Sequence, residues 1–421
     1  MGTLHREVWV SDGSGMSRRQ RASGVYYWYL PTKLCELPVL LEPDVVSDVV
    51  KAEVALATCK KRAPKGTEGI ARILLRSEAV SSSHIEGLEI GSKRLLRAEL
   101  QEREPKSVRF DNHAVEVLSN IHAVEAGVRQ ALSRDSISVD SLCGIHRALC
   151  KGTQLEQWGG VVRNRQNWVG GNSYNPLEAD YVPPAPDEVP ELLEDLVAYV
   201  NRTDVSAVVQ AALCHAQFES IHPFVDGNGR TGRALIQVCL MRRDVVDSAV
   251  PPISLALATQ RKDYYASLHS MQHHTDESAC HSAVNDWISF FAGAVVQACD
   301  DMSRIADELD EMRKNWIARL GTVRAESALE QMLEAVRVMP YFTVNTMVNA
   351  GVGSKQSISG ALARLQEAGI VVQTSRGKRD RVFETPEVLE LFAIVERRLA
   401  SPARDTRVAP PARPVPYRPN E

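Results

Sequence analysis

Residues 219–240, ESIHPFVDGNGRTGRALIQVCL, place a histidine, an acid, an asparagine flanked by glycines and two arginines between two apolar stretches. Gly227 and Gly229 open backbone conformations closed to other residues, so successive N–H groups can converge on an anion. A helix starting near Arg230 adds its N-terminal partial positive charge at the same point. Arg230 and Arg233, three apart on that helix, can project toward the anion as charge-assisted donors. Asp226 is the hard carboxylate that Mg²⁺ needs to bridge protein and phosphates. His222 carries an imidazole able to accept a proton from an attacking hydroxyl. Together these groups form the set that nucleotidyl transfer requires.

Taken singly, each has an ordinary reading. A histidine beside proline is more often structural, an Asp-Gly-Asn-Gly run is most often a turn, and paired arginines on a helix usually face solvent. No simple hairpin, however, needs all of them in one cradle between apolar helices.

The elements that must position these residues are mostly helical. Apolar residues recur every three or four positions over 42–60, 68–80, 112–133, 137–151, 187–201, 205–219, 230–243 and 276–299. The fold class is therefore mainly α. Residues 157–185, where glycine pairs bracket short Val, Trp and Tyr stretches, read as a β-hairpin between helices. Residues 301–320 read as a charged connector helix. Beyond it, helices over 326–338, 345–353 and 354–370, the last capped by Ser354, lead into two strands around the basic turn SRGKRDR at 375–381. That order suggests a small C-terminal winged helix-turn-helix. The final stretch, with six prolines in 401–421, reads as an extended, disordered tail.

Composition narrows the class further. The chain has 421 residues, and its 49 Lys and Arg nearly cancel 53 Asp and Glu, so there is no global positive field to draw it onto nucleic acid or anionic lipid. The eight cysteines are scattered without a C-x-x-C pair and mostly sit in apolar helical runs, which suits a reducing, cytoplasmic setting. The first 23 residues have no continuous apolar stretch of the secretory type and read as a disordered leader. The apolar run at 288–299 is too short for a membrane span. His269, His273, His274 and His281 lack the His-x-x-x-His spacing with a helping acid and read as surface or packing residues.

HPFVDGNGRTGR, His222 to Arg233, resembles the Fic family signature H-x-F-x-[DE]-G-N-G-R-x-x-R at every fixed position. The resemblance covers about residues 24–300 and implies a protein adenylyltransferase: His222 as base, Phe224 packing the loop into the core, Asp226 holding Mg²⁺, Asn228 with the neighbouring backbone holding phosphates, and Arg233 taking the γ-phosphate of ATP. It also implies that the 157–185 hairpin is the flap on which an extended stretch of the target protein docks. Family members place a Tyr near the adenine and an Asn eight residues on; Tyr264 fits the first, but Gln272 stands in place of the second. The expected domains are a leader at 1–23, an N-terminal helical region at 24–110, a Fic core at 111–300, a connector helix at 301–324, a winged-helix-like unit at 325–395 and a Pro-rich tail at 396–421.

A second motif, SSSHIEGLEI at 81–90, resembles the family's inhibitory helix [ST]-x-x-x-E-[GN] at Ser82, Glu86 and Gly87. A carboxylate paired with Arg233 would keep that guanidinium from orienting the γ-phosphate. Without the loop motif, the same residues would read as an ordinary polar helix end. Three other readings stay open: removal of AMP from a modified protein, transfer of another phosphate-containing group, and, in a different class, a DNA-binding regulator with a nucleotide-sensing body. For the last, residues 322–421 carry 14 Lys and Arg against 11 Asp and Glu. Self-modification and a homodimer are open as well.

Overall fold

A period of 3.6 dominates the chain, and the computed structural model follows it. The residues it describes are 2–62, 68–103, 112–133, 135–247, 249–272, 276–375 and 381–392. Among them the helices are α1 (Pro43–Arg62), α2 (Glu68–Ile85), α3 (Ser92–Arg103), α4 (Asn112–Leu132), α5 (Val139–Cys150), α6 (Val189–Val200), α7 (Ala207–Ile221), α8 (Asn228–Arg242), α9 (Ile253–Thr259), α10 (Arg261–Met271), α11 (Glu277–Leu320), α12 (Ala328–Val338), α13 (Val344–Asn349) and α14 (Lys355–Glu367). The strands are β1 (Thr3–Trp9), β2 (Gly24–Leu30), β3 (Tyr341–Thr343), β4 (Val372–Gln373) and β5 (Val382–Glu384). The chain divides into two units, residues 1–57, 122–247 and 260–296, and residues 58–121, 248–259 and 297–421.

The first unit is built around α7. Every residue of this helix is buried, so it is the central helix rather than an amphipathic surface one. Its polar residues are accordingly partnered. Gln210 Nε2 donates to the carbonyls of Tyr199, Val200 and Arg202 at 2.7, 3.1 and 2.9 Å, satisfying the exposed end of α6. Ser206 caps the start of α7, and Trp287, fully buried on α11, donates from Nε1 to the Ala212 carbonyl at 2.9 Å.

Residues 3–9 are not a disordered leader. They form β1, antiparallel to β2 with Thr3 opposite Leu30 and Trp9 opposite Gly24. The aromatic run VYYWYL supplies the reason: His5 stacks on Trp28 at 4.2 Å, and Tyr26, Trp28 and Val182 form a small core with Trp9, Leu30 and Trp168 against it. Residues 157–185 are less regular than a hairpin. They meet in one antiparallel bridge, where the Val169 N–H donates to the Tyr181 carbonyl at 2.9 Å and the Tyr181 N–H returns a bond at 3.2 Å. Paired glycines and the Pro183–Pro184 step interrupt any longer ladder.

Residues 301–320 of the connector expected at 301–324 are part of α11, a continuous helix of 44 residues that ends at Leu320. Its buried stripe runs through Val295, Ala298, Cys299, Met302, Leu309, Met312 and Trp316 with no proline or glycine to break it. In the second unit α12, β3, α13, α14 and a sheet ordered β3-β5-β4 follow one another. Ser354 caps α14 through the Ser357 N–H at 3.2 Å, and a Thr343–Thr346 capping box starts α13. The basic turn at 376–380, His273, His274 and the Pro-rich tail lie outside the described residues. No described helix is long and apolar enough to cross a membrane.

Candidate nucleotide site

α7 stops at His222, which takes a left-handed conformation, φ 49° and ψ 58°, unusual for a residue with a side chain. Three bonds hold it there. Its N–H donates to the Phe218 carbonyl at 2.9 Å, and its own carbonyl accepts Arg163 Nε at 2.9 Å and Asn167 Nδ2 at 3.2 Å. Its Nδ1 lies 3.4 Å from the Glu219 carbonyl. A carbonyl only accepts, so in the neutral ring this contact favours a proton on Nδ1 and a lone pair on Nε2.

Arg163 is nearly fully buried and spreads its guanidinium over carbonyls from two segments: His222 and Ile221 on the loop side, Pro184 at 2.6 Å and Arg165 at 3.2 Å on the other. Burial lowers its pKa to about 10, and it stays charged at neutral pH. The bridge segment 157–185 is thereby tied directly to the histidine.

The loop after His222 is braced from within. Asn228 Oδ1 accepts the Phe224 N–H at 2.8 Å and Nδ2 donates to the Phe224 carbonyl at 2.9 Å. The Asn228 side chain, expected on the phosphates, is thus committed to the loop. Phe224 is buried as expected, with its ring against His146 and Phe218. Gly227 follows at φ 78°, and a Cβ there would sit 2.8 Å from Leu149 Cδ2.

α8 begins at this point. Its first backbone bond runs from the Thr231 N–H to the Gly227 carbonyl at 3.1 Å. The N–H groups of Asn228, Gly229 and Arg230 precede that bond and form the helix N-terminus suited to an anion. Asp226 is mostly exposed, with its Oδ1 taking the Gly227 N–H at 2.5 Å. Arg230 lies 4.0 Å from Asp226, and its buried Nε has no hydrogen-bond partner among the described residues.

Arg233 is almost wholly buried, and its Nη1 reaches the Tyr264 hydroxyl at 3.5 Å. Tyr264 is only 1% exposed, and its hydroxyl also bonds His215 Nε2 at 2.8 Å. Burial first, then the Arg233 charge, pushes the His215 pKa down to about 3, so the ring is neutral. Tyr264 therefore sits in the core behind Arg233, with little surface for a base; its expected place beside adenine is not what the packing gives it. Gln272, just past α10, is buried too.

In the second unit α2 ends in a Schellman turn: the Leu88 N–H donates to the Ser83 carbonyl at 3.0 Å and the Gly87 N–H to the His84 carbonyl at 2.9 Å, with Gly87 at φ 82°. Ser82 is buried within the helix, and Glu86 is an exposed carboxylate at its C-terminal end. Asn120 on α4 braces this last turn through the Ala79 carbonyl and Ser83 Oγ.

The helix, loop and helix thus define an α-helical protein in which the start of α8 has the form of a candidate anion site. Residues 136–240 match the sequence model of the Fic/DOC family, and residues 46–129 that of the Fic/DOC family N-terminal region. The chain is similar to protein adenylyltransferase fic-1 of Caenorhabditis elegans, 30% identical over 39% of this chain and 30% of that protein. It is also similar to protein adenylyltransferase Fic of Drosophila virilis, 27% identical over 61% of this chain and 47% of that protein. The chain thus spans between about a third and half the length of these relatives. A Fic family protein from Desulfovibrio desulfuricans shares the fold, with a TM-score of 0.52 at 20% identity, covering 83% of this chain and 98% of that one.

Proposed function

We propose that the chain is a protein adenylyltransferase that moves AMP from ATP onto a hydroxyl side chain of a target protein, or of itself. The observation that carries this reading is the junction of α7 and α8: a histidine held in a left-handed turn, four residues ahead of an exposed acid and six ahead of a helix N-terminus. The names of the relatives agree with it.

In this reading a target hydroxyl gives its proton to His222 Nε2 and its oxygen attacks the α-phosphorus of ATP. The bond from that phosphorus to the oxygen leading to the β-phosphorus breaks, and pyrophosphate leaves. The α8 N-terminus with Gly227, Gly229 and Arg230 holds phosphate oxygens, and Arg233, steadied by Tyr264, takes the γ-phosphate. Asn228 serves by keeping the loop in shape. Asp226 fits Mg²⁺, since one exposed carboxylate suits an ion that completes its shell with phosphates and water, and no cage of three His, Cys, Asp or Glu side chains occurs among the described residues. Mg²⁺, when bound, would neutralise phosphate charge. The target lies along the 157–185 segment, where Val169 is exposed.

Glu86 is read as the brake. A carboxylate at a helix C-terminus stands at the unfavourable end of the dipole, so helix stability does not account for its place. It is expected to restrain transfer by occupying Arg233. The helix, strand, helix, helix and two strands at 328–384 fit a winged helix-turn-helix, and eight free thiols fit the cytoplasm. The test is labelling with ATP. Glu86→Gly should label itself and lysate proteins on the order of a hundredfold more than the natural chain, and adding Arg233→Ala should silence it. Labelling of Glu86→Gly at the level of the natural chain would remove the brake.

A further inference from the structure

His146 touches the loop between α7 and α8 at two points, the Phe224 ring and the Asp226 carbonyl. It lies on the buried face of α5, with 1% of its surface exposed. Its Nδ1 accepts the Gly160 N–H at 2.9 Å, and its Nε2 lies 2.9 Å from the Asp226 carbonyl. A backbone N–H can only donate and a carbonyl can only accept. Both contacts are therefore met by one species alone, the neutral ring with its proton on Nε2. The same ring lies parallel to Phe224, with centroids 3.8 Å apart and planes within 3°. It also underlies the turn, since a Cβ on Gly227 would come within 3.4 Å of Nε2.

We propose that His146 is a positioning residue for transfer: it fixes the Asp226 carbonyl and the Phe224 ring, and through them the direction of the Asp226 carboxylate and the start of α8. The proposal rests on the reading that this loop holds a nucleotide. Two residues of one loop, Phe224 and Asp226, are gripped by one side chain from another helix, one through its ring face and one through its backbone. A peptide plane pinned by its carbonyl cannot rotate, and the plane pinned here leads directly into Gly227 and the anion-binding N–H groups.

The test compares His146→Phe, which keeps the stacked ring and loses both hydrogen bonds, with His146→Gln, whose amide can still donate to the Asp226 carbonyl. Both are made in the 421-residue chain carrying Glu86→Gly. Amide hydrogen exchange over 222–231 and the KM and kcat for ATP are measured. The expected result is at least tenfold faster exchange confined to the loop and a KM for ATP raised about tenfold in His146→Phe, with substantial recovery in His146→Gln. A side chain that only filled space would leave KM unchanged in His146→Phe, and that result overturns the proposal. If His146→Phe does not fold, His146→Gln decides: loop exchange and KM close to those of the parent support the proposal, and a tenfold loss in both overturns it. If the parent itself transfers nothing from ATP, the nucleotide reading fails, while the exchange data still decide whether His146 holds the loop.

Discussion

Asn228 grips Phe224 at both of its backbone polar groups, accepting its N–H at 2.8 Å and donating to its carbonyl at 2.9 Å. Aspartate is nearly the same shape but has no donor. Asn228→Asp should therefore set a carboxylate oxygen against the Phe224 carbonyl and lose about 2 kcal/mol of stability, as expected for a buried polar pair left unsatisfied. Denaturant titration measures that loss. Labelling by ATP should fall with it, by about tenfold or more, because the loop loses its internal brace.

Gly227 supplies a second prediction. At φ 78° with Leu149 at 2.8 Å from any added Cβ, Gly227→Ala is strained in both backbone and packing. A stability loss of about 1–3 kcal/mol is expected, with ATP affinity reduced more than melting temperature alone would suggest. Unchanged ATP affinity in calorimetry would show that the turn tolerates the methyl group and plays no part in binding.

Arg163 joins the bridge segment to His222, so its loss should be felt at both. Arg163→Lys keeps the charge but cannot reach four carbonyls with a single ammonium. It should cost about 2 kcal/mol and lower the transfer rate, with ATP binding less affected than turnover. Equal loss of binding and turnover would mean that the residue supports only the fold.

The bridge between Val169 and Tyr181 gives a prediction about the target. Val169→Pro removes the N–H that donates to the Tyr181 carbonyl and should impair modification of other proteins while leaving ATP binding. Mass spectrometry of lysate proteins and calorimetry with ATP separate the two outcomes.

Much of this was legible in the sequence, and what was missed has physical causes. The loop motif stood out because histidine, acid, glycines and arginines are costly to place together without a use. The helices read well because α5, α6 and α12 keep one buried face. α7 showed the same apolar spacing over 205–219, although every one of its residues is buried, so its central place was not legible. β1 was missed because a strand of mostly exposed polar and apolar residues shows itself only through its partner β2, across a turn of 14 residues. The connector was expected as a separate helix because the stretch from 301 onward is charged, yet charged residues do not stop a helix, and α11 runs on to Leu320. Tyr264 was misplaced because spacing along a chain does not tell whether a ring faces a cleft or the core. His146 left a faint signal, a histidine among apolar residues on α5, which alone reads as packing.

In the proposed reaction His222 takes the proton of the hydroxyl that receives the AMP part of ATP. The most direct test is to give Glu86→Gly protein ATP labelled at either the α- or the γ-phosphorus and follow label on protein, with His222→Ala beside it. The account predicts label from the α position only, a mass gain of one AMP group, and no label in the His222→Ala chain although it still folds and binds ATP. Label from the γ position, or undiminished α label in His222→Ala, would contradict it.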